Sequence, residues 1–312
     1  MKKILFLFLI QWSVRPLNGD GTSGLSYLNL DPAPRASALG TAYAAVAEGP
    51  QTVFYNPAGL TSANVPHLYT QTYIPPFLED TKYHTIVYAR PSSWGAWAID
   101  TGIFYITPFT RTVADASLAD GYREVGSFTT YDLKIAYSCA KEVKTGLSVG
   151  ATLSFMRESL ADIVTHGVAL DLGGMYAPPL SPFRFGFSIQ HIGPDIRFQN
   201  YSSPLPLMLR GGLALFKKGV LLTFELQKIL YSGEFLASGV EIPLNSQLTL
   251  RSGYKYAFQK EHLASQWLFP NGFSVGLGLN KGVWSFDYAT SSRGDLGFIH
   301  QIALDYSWEA AR

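Results

Sequence analysis

Cysteine is nearly absent: Cys139 stands alone in 312 residues. One thiol excludes an intramolecular disulfide and any cysteine-built metal cluster. Charge is sparse as well, at 15% of residues where a soluble domain carries about 25%. The net charge of +1 leaves no electrostatic footprint for nucleic acid. Beyond the N-terminus no apolar run approaches the roughly 18 to 20 residues of a transmembrane helix. The six histidines, His67, His84, His166, His191, His262 and His300, are not paired at metal-ligand spacing, so neither metal nor other cofactor is expected. Residues 276–282 lack the order of a phosphate loop. Ser138-Cys139-Ala140-Lys141 matches S-x-x-K only at a strand end. No nucleophile and base converge elsewhere, and the chain does not read as an enzyme.

Apolar and aromatic residues are abundant: 47% hydrophobic, with 18 Tyr and 20 Phe. Such a composition suggests a surface facing something other than water. Without a helical span, the membrane option is a closed β-barrel, the other structure that satisfies every backbone group in lipid. Residues 1–19 have the form of a secretory signal peptide, with Lys2 and Lys3 ahead of the apolar stretch 4–10 and cleavage near 19–24. The alternative is an ordinary buried N-terminal element; the lysine pair directly before seven apolar residues favours export.

Period-2 alternation runs through the chain from residue 68 onward. Leu147, Val149, Ala151, Leu153 and Phe155 alternate with Ser148, Gly150, Thr152 and Ser154. Phe183, Phe185, Phe187 and Ile189 alternate with Arg184, Gly186, Ser188 and Gln190. About 14 strands follow, over 68–74, 83–90, 94–106, 128–138, 145–157, 167–177, 182–190, 206–216, 219–228, 234–242, 246–256, 272–280, 283–289 and 298–308. Most approach the 9 to 11 residues that a tilted membrane strand needs. Short connections (91–93, 140–144, 178–181, 217–218, 243–245, 281–282) alternate with longer ones that include 107–127, 191–205 and 257–271. Segregated loop lengths are the mark of an outer-membrane barrel, and an even strand number places both chain ends at the short-turn, periplasmic side.

With large apolar residues facing lipid, the inward face carries Asp100, Asp132, Lys134, Asp171, Arg184, Arg210, Glu225, Glu241, Arg251, Lys255, Asp287 and Asp305. Acids and bases nearly balance. Because buried unpaired charge is costly, these groups are expected to pair across the lumen. Trp97, Tyr137, Tyr176, Phe183, Trp284, Tyr306 and Trp308 fall toward the short-turn rim, and Tyr105, Tyr131, Tyr254 and Tyr288 toward the other. Two aromatic girdles suit the headgroup levels of a bilayer.

Residues 28–60, LNLDPAPRASALGTAYAAVAEGPQTVFYNPAGL, break this rhythm. They read as a hatch: a proline turn, an alanine-rich helix, and an Asn56-Pro57-Ala58-Gly59 turn. Gly40 and the alanines allow close packing on a wall. Pro57 fixes φ, and Gly59 permits a conformation other residues avoid. Asn56 holds the turn through its neighbouring backbone.

The segment resembles the N-terminal signature of the PorV/PorQ outer-membrane proteins through Arg35-Ala36, Ala38-Leu39-Gly40, Ala42, Ala45-Val46-Ala47 and Asn56-Pro57-Ala58-Gly59-Leu60. Thr41 departs from it where a second glycine is common. So do the four residues after Trp308, since a terminal aromatic usually serves as the barrel-assembly signal. The resemblance implies a FadL-like barrel with a lumenal hatch, acting as an accessory of type IX-like protein secretion. Its partners would be secreted cargo and translocon or attachment-complex subunits, contacted by the long loops.

The expected organisation is therefore all-β. Residues 1–19 form a signal peptide, 20–66 a short helical hatch, and 67–312 a transmembrane antiparallel barrel of about 14 strands. It is expected as a monomer in the outer membrane of a Gram-negative bacterium. The rival reading is passive transport of small hydrophobic molecules, as in FadL-like barrels. A hydrophobic pocket between hatch and wall favours transport, and a lumen filled with paired charges favours docking.

Overall fold

The computed structural model describes residues 23–75, 81–199, 201–230, 232–258 and 271–308. The expected signal peptide, His262 and nearly all of the 257–271 loop lie outside these residues. Sixteen strands are present among them. They are β1 (His67–Ile74), β2 (Lys82–Ser92), β3 (Gly95–Ala114), β4 (Tyr122–Lys144), β5 (Leu147–Leu160), β6 (Ile163–Tyr176), β7 (Phe183–Ile192), β8 (Ile196–Phe198), β9 (Tyr201–Ser203), β10 (Met208–Lys217), β11 (Val220–Ile229), β12 (Gly233–Pro243), β13 (Leu248–Ala257), β14 (Phe273–Lys281), β15 (Trp284–Ser292) and β16 (Phe298–Ser307). Fourteen of them close an antiparallel barrel in sequence order, with β7 beside β10 and β1 sealing against β16. β8 and β9 form a separate hairpin. The alternation that marks each strand decides its two faces. On β11, Leu221, Thr223, Glu225 and Gln227 are buried inward while Leu222, Phe224 and Leu226 stay exposed.

That exposure continues around the wall, with Ile135, Phe155, Phe187, Leu250, Leu277 and Ile302 among many exposed apolar side chains. An apolar belt this extensive is far beyond what a water-soluble surface carries, and the barrel is read as membrane-spanning. At the short-turn rim Tyr137, Trp97, Tyr88, Trp308, Tyr306 and Trp284 form an unbroken row of ring contacts, with centroids 4.6 to 6.4 Å apart. This row crosses the β1–β16 closure.

Two connections differ from the sequence reading. Residues 107–127 are not a loop. β3 and β4 continue as one hairpin to Ala114 and Tyr122, beyond the height of the other strands. β-branched residues such as Thr110, Thr112 and Val113 favour this extension, and Pro108, which has no N–H to give, sits in the register shift between Ile106 and Phe109. Within 191–205, the β8–β9 hairpin turns inward. His191 takes a left-handed φ of 62° there, and its N–H is held by Asp171 at 2.6 Å.

The hatch, residues 23–66, fills the lumen. Its alanine run is not one helix. α1 (Pro34–Ala38) is five residues long and starts on proline. It stops in a Schellman turn: Thr41 N–H donates to the Ala36 carbonyl at 2.9 Å and Gly40 N–H to the Ser37 carbonyl at 3.0 Å. Gly40 and Thr41 have φ of 64° and 71°, which turn the chain away from a helical path. Two 3-10 turns follow, Pro50–Phe54 and Pro57–Ser62. The hatch meets β1 at the short-turn rim, where β16 also ends. Its first described residues lie at the opposite end, where Gly24 N–H donates to the Pro204 carbonyl. The end of β16 thus lies at the short-turn rim and residues 23–25 at the other, while the chain ends themselves lie outside the described residues.

Candidate functional site

The hatch–wall interface is built first from missing side chains. Wall glycines face hatch backbone at Gly239 and Gly253 (Leu39–Gly40), Gly186 (Ala44–Ala45) and Gly150 (Pro57–Ala58), and hatch side chains at Gly276 (Ala38) and Gly173 (Asn56, Pro57); a Cβ at each would lie under 3.0 Å from the hatch. Gly59 is needed for the same reason. A Cβ there would strike the Ala47 carbonyl and Thr52. It does not have the special φ expected from the sequence, since it is not among the glycines of positive φ. Asn56 is fully buried. It donates to the carbonyls of Ala44 (2.7 Å) and Gly174 (3.0 Å) and accepts the Ala58 N–H. Pro57 opens the 3-10 turn that packs on Gly150 and Gly173.

Charged side chains then tie the hatch to the wall, and the expected pairing of inward charges runs partly between nearby strands and partly through hatch residues Asp31, Arg35 and Glu48. Arg184 on β7 binds Glu48 (3.0 Å), Glu48 binds Arg35 (3.2 Å), and Arg35 binds Glu241 on β12 (2.8 Å). Glu241 binds Arg251 on β13 (2.6 Å), which also holds Asp287 on β15. A second cluster centres on Arg210, 3% exposed. It contacts Glu225 (2.9 Å), Asp31 (3.3 Å) and Gln190 (2.8 Å). Lys255 reaches Asp31 at 3.2 Å, and Glu225 accepts the Ala44 N–H at 2.6 Å. Burial alone would push the Asp31 carboxyl up, but Lys255, Arg210 and Arg293 together hold it below the usual carboxylate range. Burial pushes the Tyr43 phenol up to about 12, and its hydroxyl donates to the Glu48 carbonyl.

Of the remaining wall charges, Lys134 pairs with Asp100 at 3.1 Å, and Asp305 meets His67 at 2.9 Å. Asp171 serves the His191 backbone. Asp132 has no cation within ion-pair distance among the described residues. Sequence reasoning missed Asp31, Glu48 and Glu158. Asp31 and Glu48 lie off the strand rhythm, and Glu158 is a lumen-facing residue of β5 past the stretch read as alternating. It also missed Gln190, Gln227 and Gln301, which donate to hatch carbonyls. Their even spacing with the inward charges was the available signal. Among the described residues no trio of His, Cys, Asp or Glu side chains converges as a metal site.

Above α1, toward the long-loop end, a cavity of about 400 Å³ lies between the hatch and the wall from β11 to β16 and β1. Tyr73 and Phe235 supply its aromatic walls, and Asn29, Asp31, Lys255 and Arg293 its polar ones. Its floor is the hatch itself, at Ser37, Gly40 and Thr41. A second hollow, of about 480 Å³, lies on the outer face between Val240, Ile242, Leu250, Val275 and Leu277 and belongs to the lipid-facing surface.

No protein-family model matches the chain, and no curated protein sequence matches it. Solved structures do. The monoaromatic hydrocarbon channel CymD is 14% identical, with a TM-score of 0.62 over 89% of this chain and 98% of that one. The Ralstonia pickettii toluene transporter TbuX is 15% identical, with a TM-score of 0.59 over 90% and 100%. The P. putida toluene transporter TodX is 11% identical, with a TM-score of 0.58 over 94% and 100%. At these identities the likenesses show that the chain shares the barrel fold of these proteins. The PorV/PorQ resemblance rests on the hatch motif alone.

Proposed function

We propose that the protein is an outer-membrane channel for passive uptake of small, largely hydrophobic molecules, monomeric, with its short-turn rim in the periplasm. The division into signal peptide (1–19), hatch (20–66) and barrel (67–312) is part of this reading. The observation that carries it is the 400 Å³ cavity floored by the hatch, within the usual range for a small-molecule site. Its aromatic walls give an apolar solute a place to leave water, and its floor is the hatch rather than the wall. The neighbours of the same fold are described as channels for monoaromatic hydrocarbons and as toluene transporters. That supports transport as the first reading.

The test is uptake of radiolabelled toluene into vesicles reconstituted with the protein. Wild type is expected to accelerate uptake, and Ala257→Trp, which narrows the cavity, to slow it. Equal rates in empty and loaded vesicles would defeat the proposal. The ion pairs that fill the lumen favour a second reading, a docking barrel for secreted cargo in type IX-like export. Co-purification of secreted proteins or translocon subunits, with uptake unchanged on deletion, would support that reading instead.

A further inference from the structure

Nearly every acid that faces the lumen has a partner. Asp31, Glu48, Asp100, Glu225, Glu241 and Asp287 each lie within 3.3 Å of an Arg or Lys nitrogen, Asp305 meets His67, and Asp171 holds a backbone N–H. Asp132 on β4 and Glu158 on β5 break the pattern. They stand directly opposite each other in register, both inward, and like charges so placed repel. The nearest lysine on the same face, Lys134, is committed to Asp100 and lies over the Phe54 ring. Arg157 belongs to the outward face of β5 and is exposed.

A second observation comes from the hatch. Tyr27, 4% exposed, carries a hydroxyl without a hydrogen-bond partner. Its phenol lies within electrostatic reach of Asp132 and Glu158. The Thr130 hydroxyl, one inward position from Asp132, and one oxygen each of Asp132 and Glu158 are also buried without partners. Glu158 already accepts the Leu25 N–H from the hatch. The unsatisfied groups are thus all oxygens, two of them anionic, drawn from the wall and from the start of the described hatch. An oxygen-only set with surplus negative charge is the chemistry of a hard cation.

We propose that Asp132, Glu158, Thr130 and Tyr27 form a calcium-class cation site that fastens residues 25–27 of the hatch to β4 and β5. Two carboxylates supply the charge. Hydroxyl and backbone oxygens and water complete the coordination, which calcium tolerates in irregular geometry where magnesium demands an octahedron. The bound ion turns the repulsion between Asp132 and Glu158 into shared attraction, and it does so only with the hatch seated.

The test uses the full chain, purified in detergent from chelator-washed membranes and titrated calorimetrically with calcium chloride in a sodium chloride background. Saturable binding near one ion per chain is expected, with a rise in the thermal unfolding midpoint. Glu158→Gln and Asp132→Asn should abolish both responses. Tyr27→Phe, which keeps the ring packing, should weaken affinity about tenfold, an estimate from the loss of supporting groups around metal sites. The proposal fails if wild type shows no saturable binding. It fails equally if Glu158→Gln titrates like wild type, which would put the ion elsewhere, for instance on carried lipid. It also fails if Glu158→Gln raises the midpoint without metal while wild type ignores calcium, since the two carboxyls would then be sharing a proton.

Discussion

Replacing Arg210 with alanine should unseat the hatch while leaving the barrel intact. Arg210 is 3% exposed, and its guanidinium serves Glu225, Asp31 and Gln190 together. Asp31 keeps Lys255 when Arg210 is removed. Glu225, 1% exposed, keeps only the Ala44 N–H and the Gln227 amide. A buried charge stripped of its partner costs about 3–5 kcal/mol. That cost applies only while the hatch excludes water from Glu225. With the hatch displaced, the carboxylate is solvated, so the penalty falls on the seated state. At about 1.4 kcal/mol per tenfold change, the unseated population should rise by roughly two to three and a half orders of magnitude. Protease cleavage within 31–62, followed at low protease in lipid vesicles, reads this population, while heat-modified migration reports the barrel. Arg210→Met combined with Glu225→Gln removes both charges and should recover most of the loss. Unchanged protection in Arg210→Ala, or a double variant as labile as the single one, would refute the clamp.

Gly253→Val should be harsher than Gly211→Val. The first puts a side chain into Leu39–Gly40 backbone and the second meets nothing within 4 Å; urea unfolding in vesicles should separate them by at least the ~1–3 kcal/mol of overpacking. Phe224→Arg, on the exposed face of β11, should cost about 2–4 kcal/mol of folding into lipid if it lies near the bilayer midplane, and no cost in that assay would contradict a lipid-facing wall. The lowered Asp31 carboxyl contributes stability that is complete above the ordinary carboxylate value of about 3.9 and is lost as pH falls through the lowered one. Protease protection of the hatch should therefore be flat from about pH 5 to 8 and decline only below about pH 4. In hydrogen exchange without added calcium, the amides of 24–30 should exchange before those of 36–60, because the first group lacks the ion pairs that hold the second.

The barrel was legible because a membrane wall forces a period of two on every strand. Runs such as Leu147–Phe155 or Phe183–Ile189 have no other reading that also explains a greasy outside and a charged inside. What failed was local. The β3–β4 extension was hidden because Pro108 and Gly126 look like loop residues, while the pairing partner of each half lies on the other, beyond the wall. The β8–β9 hairpin is too short to show a period, and its inward turn depends on Asp171 reaching the His191 backbone, a contact no pattern encodes. Alanine-rich residues 36–47 suggest helix by propensity. Steric room overrides that propensity here, because a regular helix of that length would hold the chain away from the wall glycines that it touches.

The hatch also explains why the inner wall is polar at all. A segment this irregular leaves peptide groups without internal partners, and buried backbone groups must find them. The wall supplies them residue by residue: Thr223 donates to the Ala42 carbonyl, Arg184 to Val46, Ser188 to Tyr55, Gln190 to Phe54, and Gln301 to Asp31 and Pro32. Glu225 takes the Ala44 N–H in return. Glycines bring the two backbones into contact, and that closeness leaves no space for water to solvate the hatch, so side chains of the neighbouring strands must. Wall glycine and wall polar residue are therefore one device, and a barrel that kept its glycines but lost its inward amides and charges would hold a hatch it had no means to satisfy. An open lumen would need neither. Their joint presence in the strands implies, from the wall alone, that the lumen is filled by backbone.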